Sequence, residues 1–404
     1  MNLFTLTVFG AAVFLFLFLI MVFAFRRTED KAAYRLLLAV FFITVLFLSW
    51  QTEDFALQWV FIEASSMISA LLVSMSRTER SVVVAWRFLL LNSFGLGLAF
   101  LGLVILSYGD KSSLSMNFTE LLNGVKTGHN TFIEAGVWLA VFGFSAKLGL
   151  FPNHFWVSDT YAESPSPVSA LISAFVSSSV CLILRNLLKL DMAMQNPHFI
   201  SGKGLLIMGI ITMLYSILTS QQTKDIRRLA AQSALFHSGV LGVILYLNLP
   251  DNVFYFALAA NIASKALTFS SLGIFRVDAG SREIPVIREL PALNRYSTGM
   301  LLAGLCMAFI FPVSPVFLSD MMIIKEGAAR GSYWILILPF LGLVQFLVIF
   351  YKIYPFLDIR HRPFPESEKS MLVKRMVLTG ILFFLSIGLG CFGFTFFPEL
   401  WSLR

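Results

Sequence analysis

Thr131-Phe-Ile-Glu-Ala-Gly-Val-Trp-Leu-Ala-Val-Phe-Gly-Phe-Ser-Ala-Lys-Leu-Gly-Leu-Phe151 runs straight into Pro152-Asn-His-Phe-Trp156. An apolar stretch of about 20 residues spans a bilayer. This one carries Lys147, and insertion scales charge a lysine at membrane depth roughly 2.5–3.5 kcal/mol. The helix is expected to break at Pro152 and to continue to about Glu163, which leaves Lys147 near its middle. Irregular backbone at depth is tolerated only where protein or water surrounds it. A lysine beside such a break therefore reads as part of an ion or proton path. The plainer alternative is a lysine that snorkels to the headgroups from a helix end.

The rest of the chain agrees with a membrane setting. Its 404 residues are 57% hydrophobic and 13% charged, against about 25% charged in ordinary globular domains. The expected fold is all-α, a polytopic membrane bundle of about twelve transmembrane helices with two broken. The spans fall near 3–25, 33–50, 55–76, 85–107, 131–163 (broken), 166–190, 201–220, 228–249, 252–276, 298–328 (broken), 331–355 and 371–397. The first span has no basic segment before it and no obvious small-residue cleavage site, so it reads as a retained helix rather than a signal peptide. Three segments are expected: N-terminal helices over 1–54, a conducting core over 55–330 and C-terminal helices over 331–404.

Net charge is +7, but its placement is what matters. With both termini outside, twenty of the 30 basic residues fall in inner loops. That is the positive-inside bias, and it fixes orientation. There is no basic patch with interleaved aromatics, so nucleic acid is excluded as a partner. Cys181, Cys306 and Cys391 are isolated in apolar segments and form no CxxC. No metal, cluster or haem site is expected, and no cofactor.

Two segments share a pattern. In 131–163 a lysine precedes a proline break; in 298–328 Pro312 and Pro315 precede Asp320 and Lys325. Paired broken helices in two halves are the mark of transporters built from repeats. Other ionisable residues lie inside spans. Glu63 sits in Trp59-Val-Phe-Ile-Glu-Ala-Ser-Ser-Met67, and a buried carboxylate wants a partner; Lys147 is the candidate. Moving that carboxylate would switch the lysine between holding and releasing a proton, while the alternative is a static pair. Lys265, in Asn261-Ile-Ala-Ser-Lys-Ala-Leu-Thr-Phe269, reads as the next station. Asp320 reads as a terminal carboxylate toward the outer side, or as a loop charge. His237 could bridge two lysines, since imidazole titrates near neutrality. His154, Asp159 and Glu163 read mainly as surface or interfacial groups, with His154 also a candidate path-lining residue. Ser164-Pro-Ser-Pro167 opens the next helix, with proline in its first turn.

These residues also carry a likeness. Ser145 to Leu171 resembles the lysine helix of the proton-conducting antiporter-like family, which includes large membrane-arm subunits of respiratory complex I, Mrp-type antiporter subunits and component F of hydrogenase-4. Asp225-Ile-Arg-Arg-Leu-Ala-Ala-Gln-Ser-Ala-Leu-Phe-His-Ser-Gly239, Asn261–Phe269 and Ser314-Pro-Val-Phe-Leu-Ser-Asp320 resemble further signatures in the same order. Trp59–Leu72 followed by Ala85-Trp-Arg87 resembles the hydrogenase-4 component F branch. The likeness covers about 55–330. It implies that Glu63 is the modulating glutamate, Lys147 the channel lysine and Lys265 the later lysine, while Asp320 stands where a glutamate is usual. Ser177 stands where many members carry a central lysine and hydrogenase branches often carry asparagine. Asn261 replaces a common histidine. Both can line a water chain as polar groups but cannot hold a proton. By the same likeness the chain starts about two helices late and lacks a long lateral helix, as a reduced member would.

The expectation is thus a proton-translocating membrane subunit of a multi-subunit redox complex in a bacterial or archaeal cytoplasmic membrane. Its redox chemistry would lie in partner subunits, because the chain holds no GxGxxG, cysteine framework or haem motif. Sodium is the alternative ion. The alternative functions are an Mrp-like cation/proton antiporter or carbon-uptake module, and a transport-inactive structural subunit.

Overall fold

A computed structural model of the chain describes residues 32–76, 78–109, 116–125, 131–194, 200–309, 311–364 and 369–396. The span expected near 3–25 lies outside them. The described residues form fifteen helices: α1 (Ala32–Gln51), α2 (Phe55–Ser74), α3 (Glu79–Gly109), α4 (Phe118–Val125), α5 (Thr131–Leu148), α6 (Phe155–Glu163), α7 (Ser166–Ala193), α8 (Ile200–Gln222), α9 (Ile226–Leu247), α10 (Asp251–Ala279), α11 (Ile284–Arg288), α12 (Arg295–Phe309), α13 (Pro315–Ala329), α14 (Ile337–Ile353) and α15 (Lys369–Phe396). Among the described residues, ten helices are long and apolar enough to cross a bilayer. The chain is a multi-pass helical membrane bundle, as its composition required.

Both expected breaks are present. Helix α5 ends at Leu148, where Gly149 takes φ +79°, a left-handed conformation that costs glycine no Cβ clash. Helix α6 restarts at Phe155. The second break separates α12 from α13, whose Ser314 cap accepts a hydrogen bond from the Phe317 amide at 3.0 Å. Other starts follow from the same chemistry: Asp54 caps α2 through the Leu57 amide at 2.9 Å, and Asp225 caps α9 through the Arg227 amide at 2.8 Å.

Burial shows which helices form the centre. Within their apolar windows α7, α9 and α10 are 89%, 94% and 94% buried, against 28% for the spans containing α14 and α15. Lipid is as apolar as leucine, so helices in a membrane gain from close backbone approach through small residues. Helices α3 and α5 illustrate this. A Cβ added to Gly143 would lie 2.3 Å from the Ala99 backbone nitrogen, and one on Gly102 would lie 2.4 Å from that of Ala140. This glycine seam fixes α5, and with it Lys147, against α3.

Candidate functional site: a buried polar axis

Lys147 is the last basic residue of α5 and is 1% exposed. Its Nζ donates to Ser66 Oγ at 2.7 Å and lies 4.6 Å from the centre of the Phe88 ring. Ser66 donates its own hydroxyl to the Ile62 carbonyl at 3.1 Å. With its proton committed there, Ser66 can only accept from the lysine. Glu63 lies one turn earlier on the same face of α2. The direct Glu63–Lys147 contact expected from sequence is not made. Ser93 of α3 instead donates to Glu63 Oε1 at 2.6 Å, and Oε2 is buried with no hydrogen-bond partner. The two side chains still interact electrostatically, with the Ser66 hydroxyl holding the lysine.

A second cluster forms deeper in the bundle. Lys265 of α10 is 2% exposed. Its Nζ donates to the Ser173 carbonyl and to Ser177 Oγ, both at 3.2 Å. Asn261, one turn earlier, donates through Nδ2 to the same Ser177 Oγ at 3.3 Å. Ser177 thus joins the two α10 side chains to α7. The geometry depends on a π-helical turn at Ile172–Val176 inside α7. Such a turn carries an extra residue and leaves carbonyls poorly matched to the helical ladder, and it occurs often at functional sites. Here the Ser173 carbonyl takes the Lys265 ammonium and the Ser177 hydroxyl, the latter at 2.6 Å.

His237 of α9 and Asp320 of α13 meet at a third place. Both line a cavity of about 200 Å³ that reaches Leu338 and Leu343 of α14. They also line a smaller one of about 20 Å³ with Asn261 and Ser319. His237 lies near the Ala308 backbone at the end of α12, stacks on Phe309 at 5.0 Å and leaves Nε2 buried without a partner. His237 thus shares the smaller cavity with Asp320 and with Asn261 of the helix that bears Lys265.

The surface reading of His154 and Glu163 is overturned. His154 is 2% exposed, its ring centre 4.0 Å from that of Tyr215. Glu163 is 8% exposed and is clamped by Arg80 and Arg282, each at 3.0 Å. Arg227 adds hydrogen bonds to the Ser164 and Tyr161 carbonyls beside it. This cluster ties the inner end of α6 to α3, α9 and the loop after α10. Asp159 is half-buried and pairs with Arg228 at 2.6 Å. Sequence reasoning did not single out Ser66, Ser93, Ser173 or the π-turn. A serine that meets a lysine from another helix looks in sequence like any serine packed in a membrane helix.

Comparison with known proteins follows the same outline. The profile described as NADH:quinone oxidoreductase/Mrp antiporter, TM matches residues 52–345. A hydrogenase-4 component F homolog of Methylacidiphilum infernorum is 25% identical over 289 residues, which cover 69% of this chain and 60% of that protein. NADH-quinone oxidoreductase subunit N of Leptospira interrogans is 27% identical over 240 residues, 57% of this chain and 44% of that protein. The chain thus spans less than two thirds of the length of these relatives. Among solved structures, a chain of the archaeal membrane-bound sulfane sulfur reductase superposes with TM-score 0.79 at 21% identity, covering 97% of this chain and 79% of that one. A chain of the Mrp complex from Dietzia gives TM-score 0.78 at 15% identity, covering 97% and 84%. At these identities the superpositions speak for the fold alone. The matched profile covers well over half of the chain, from the helix bearing Glu63 to beyond Asp320; the chain belongs to the NADH:quinone oxidoreductase/Mrp antiporter transmembrane family.

Proposed function

We propose that this chain is a proton-translocating membrane subunit of a multi-subunit redox complex. Protons move along an axis of Glu63, Lys147, Lys265 and Asp320, with His237, Ser177 and Asn261 between the stations. The observation that carries this reading is the company of the two lysines. Each is almost fully buried, and each is held by hydroxyl or carbonyl oxygen rather than by a carboxylate. A lysine kept for structure in a membrane pairs with an opposite charge, because an uncompensated buried charge is costly. Lysines held by neutral oxygens can give up and regain a proton without breaking an ion pair.

Relatives named as hydrogenase-4 component F and NADH-quinone oxidoreductase subunit N support placing the chain beside redox partners. The same likeness supports a bacterial or archaeal cytoplasmic membrane as its location. Electron transfer in the partners would supply the push, and displacement of Glu63 relative to Lys147 would load or unload the lysine.

The test is Lys147→Met in the complex purified from native membranes under mild detergent and reconstituted into vesicles. Methionine preserves length and removes the titrating group. Redox turnover is expected to continue while proton uptake falls at least tenfold. Proton uptake per electron equal to that of the unaltered complex would overturn the axis. Recovery of the chain with an Mrp-type assembly would move the function to cation/proton exchange.

A further inference from the structure

Trp156 lies in the first turn of α6, just past the break, and is 3% exposed. Its indole Nε1 donates to the Ala146 carbonyl at 3.0 Å. Ala146 precedes Lys147 in the last turn of α5, where carbonyls lack a helical partner four residues on. The Gly149 amide donates to the same carbonyl at 3.1 Å, and a carbonyl oxygen has two lone pairs to offer. The indole is therefore fastened to the backbone from which Lys147 projects. It also covers the turn itself: a Cβ on Gly149 would lie 3.7 Å from Trp156 Cζ2.

The same ring has a second contact. It meets Phe88 of α3 edge to face, with ring centres 5.1 Å apart and planes at 73°, an arrangement aromatic pairs prefer. Phe88 is fully buried, and its face lies 4.6 Å from the Lys147 ammonium. An aromatic face attracts a cation through its quadrupole, most strongly where water is absent. A neutral amine gains nothing comparable, so the placing of this face matters chiefly to the protonated lysine. Ser66 holds the ammonium from α2, and Phe88 meets it from α3. Trp156 is braced in turn. Tyr161 packs against it at 5.9 Å and against Phe269 of α10 at 5.6 Å. The clamp on Glu163 fixes the inner end of the same half-helix.

We propose that Trp156 is a positioning residue for Lys147. Through Phe88 it sets the aromatic face that receives the ammonium, and through the Ala146 carbonyl it fixes the backbone that carries the lysine. It neither holds nor transfers a proton. The proposal rests on the proton-conducting reading for what the lysine does, and on the contacts alone for where the lysine sits.

Position can be read without transport. The complex is labelled with 5-fluorotryptophan, and its fluorine NMR signal from Trp156 is the one that Trp156→Phe removes. Phe88→Leu and Lys147→Met should both move that signal. Leu90→Ala, at a position of α3 that is 63% exposed, should leave it in place. A Trp156 signal indifferent to Phe88→Leu or to Lys147→Met overturns the proposal. In reconstituted vesicles, Trp156→Leu should lower proton uptake per electron about fivefold or more while assembly and redox turnover persist. Trp156→Phe keeps a ring against Phe88 and should recover uptake to within about twofold. Adding Trp156→Leu to Phe88→Leu should cost no more than about twofold beyond Phe88→Leu alone, because residues acting through one contact are not additive. Full additivity, or an assembled Trp156→Leu complex that pumps normally beside a defective Lys147→Met complex, overturns the positioning role. If Trp156→Leu does not assemble, the fluorine signal decides. A signal that moves as expected beside a fully active Lys147→Met complex would keep the positioning role and discard the axis.

Discussion

Ser66→Ala isolates the contact that holds Lys147. The hydroxyl accepts from the ammonium at 2.7 Å while donating to the Ile62 carbonyl. Alanine deletes both bonds and leaves the ammonium facing the Phe88 ring at 4.6 Å. The Ile62 carbonyl keeps its place in the helix ladder, so most of the loss falls on the lysine. A hydrogen bond to a charged group contributes about 1.5–3 kcal/mol. The aromatic face recovers little of this, since it is already in contact. At 1.36 kcal/mol per decade, the ammonium should occupy this position roughly 10- to 150-fold less often. If that position is on the conduction path, proton uptake per electron should fall by about tenfold or more while redox turnover persists. The assay is dye-monitored acidification of inside-out vesicles carrying the complex, with assembly checked on a native gel. Ser66→Thr retains the hydroxyl and should restore uptake to within about twofold. An assembled Ser66→Ala complex that pumps as well as the unaltered one would refute the reasoning, whatever Lys147→Met does.

Three further outcomes follow from the geometry. Ser177→Ala removes the oxygen shared by Lys265 and Asn261; at about 1–3 kcal/mol for a buried donor left unpaired, it should lower both proton uptake and melting temperature, and Asn261→Ala should add little on top because the two share one acceptor. Glu163→Gln breaks the contacts to Arg80 and Arg282; with both arginines partly exposed and solvent-screened, a loss of about 1–3 kcal/mol is expected as a lower melting temperature in detergent. Gly143→Val would drive side-chain carbon onto the Ala99 backbone 2.3 Å from the added Cβ; overpacking of about 1–3 kcal/mol or more should reduce accumulation of the folded chain on fluorescence size-exclusion chromatography, whereas Gly97→Ala, with open space at its Cβ, should be silent.

Much of this architecture could be read from residues alone because membrane physics leaves few choices. Lys147 before Pro152 announced a broken helix, since a proline at depth needs protein or water around it. The break falls at Gly149, three residues before the proline, because only glycine takes the left-handed turn at no steric cost. Asp225 and Ser314 start their helices through side-chain chemistry that the reading of the spans did not use. What could not be read depends on partners distant in sequence. Glu163 sits in a polar stretch that looks solvated, and its burial follows from arginines delivered by the first turn of α3 and by the loop after α10. His154 looks interfacial beside Asn153, and it is buried because Tyr215 of α8 covers it. The π-turn in α7 has no compositional signature, as Ile172-Ser-Ala-Phe-Val176 would suit an ordinary helix. The expected Glu63–Lys147 contact failed for a simple reason. Ser66 shares the face of α2 with Glu63 and meets the ammonium first.

The π-turn also bears on insertions and deletions. An α-helix advances by about 100° per residue, so one extra residue sets the two halves of α7 at different rotational phases. The first half is anchored at Ser164 and Ser169, which hydrogen-bond one another at 2.7 Å; the second presents Ser177 to Lys265 and Ser179 to Trp50, the latter at 2.6 Å. Deleting Ala174 would give a helix with a complete ladder and an unremarkable sequence. It would also swing Ser177 and Ser179 together about a quarter-turn away from both partners. Along this helix the chain tolerates changes of side chain far better than changes of length, and the spacing between Pro167 and Ser177 is itself part of the site.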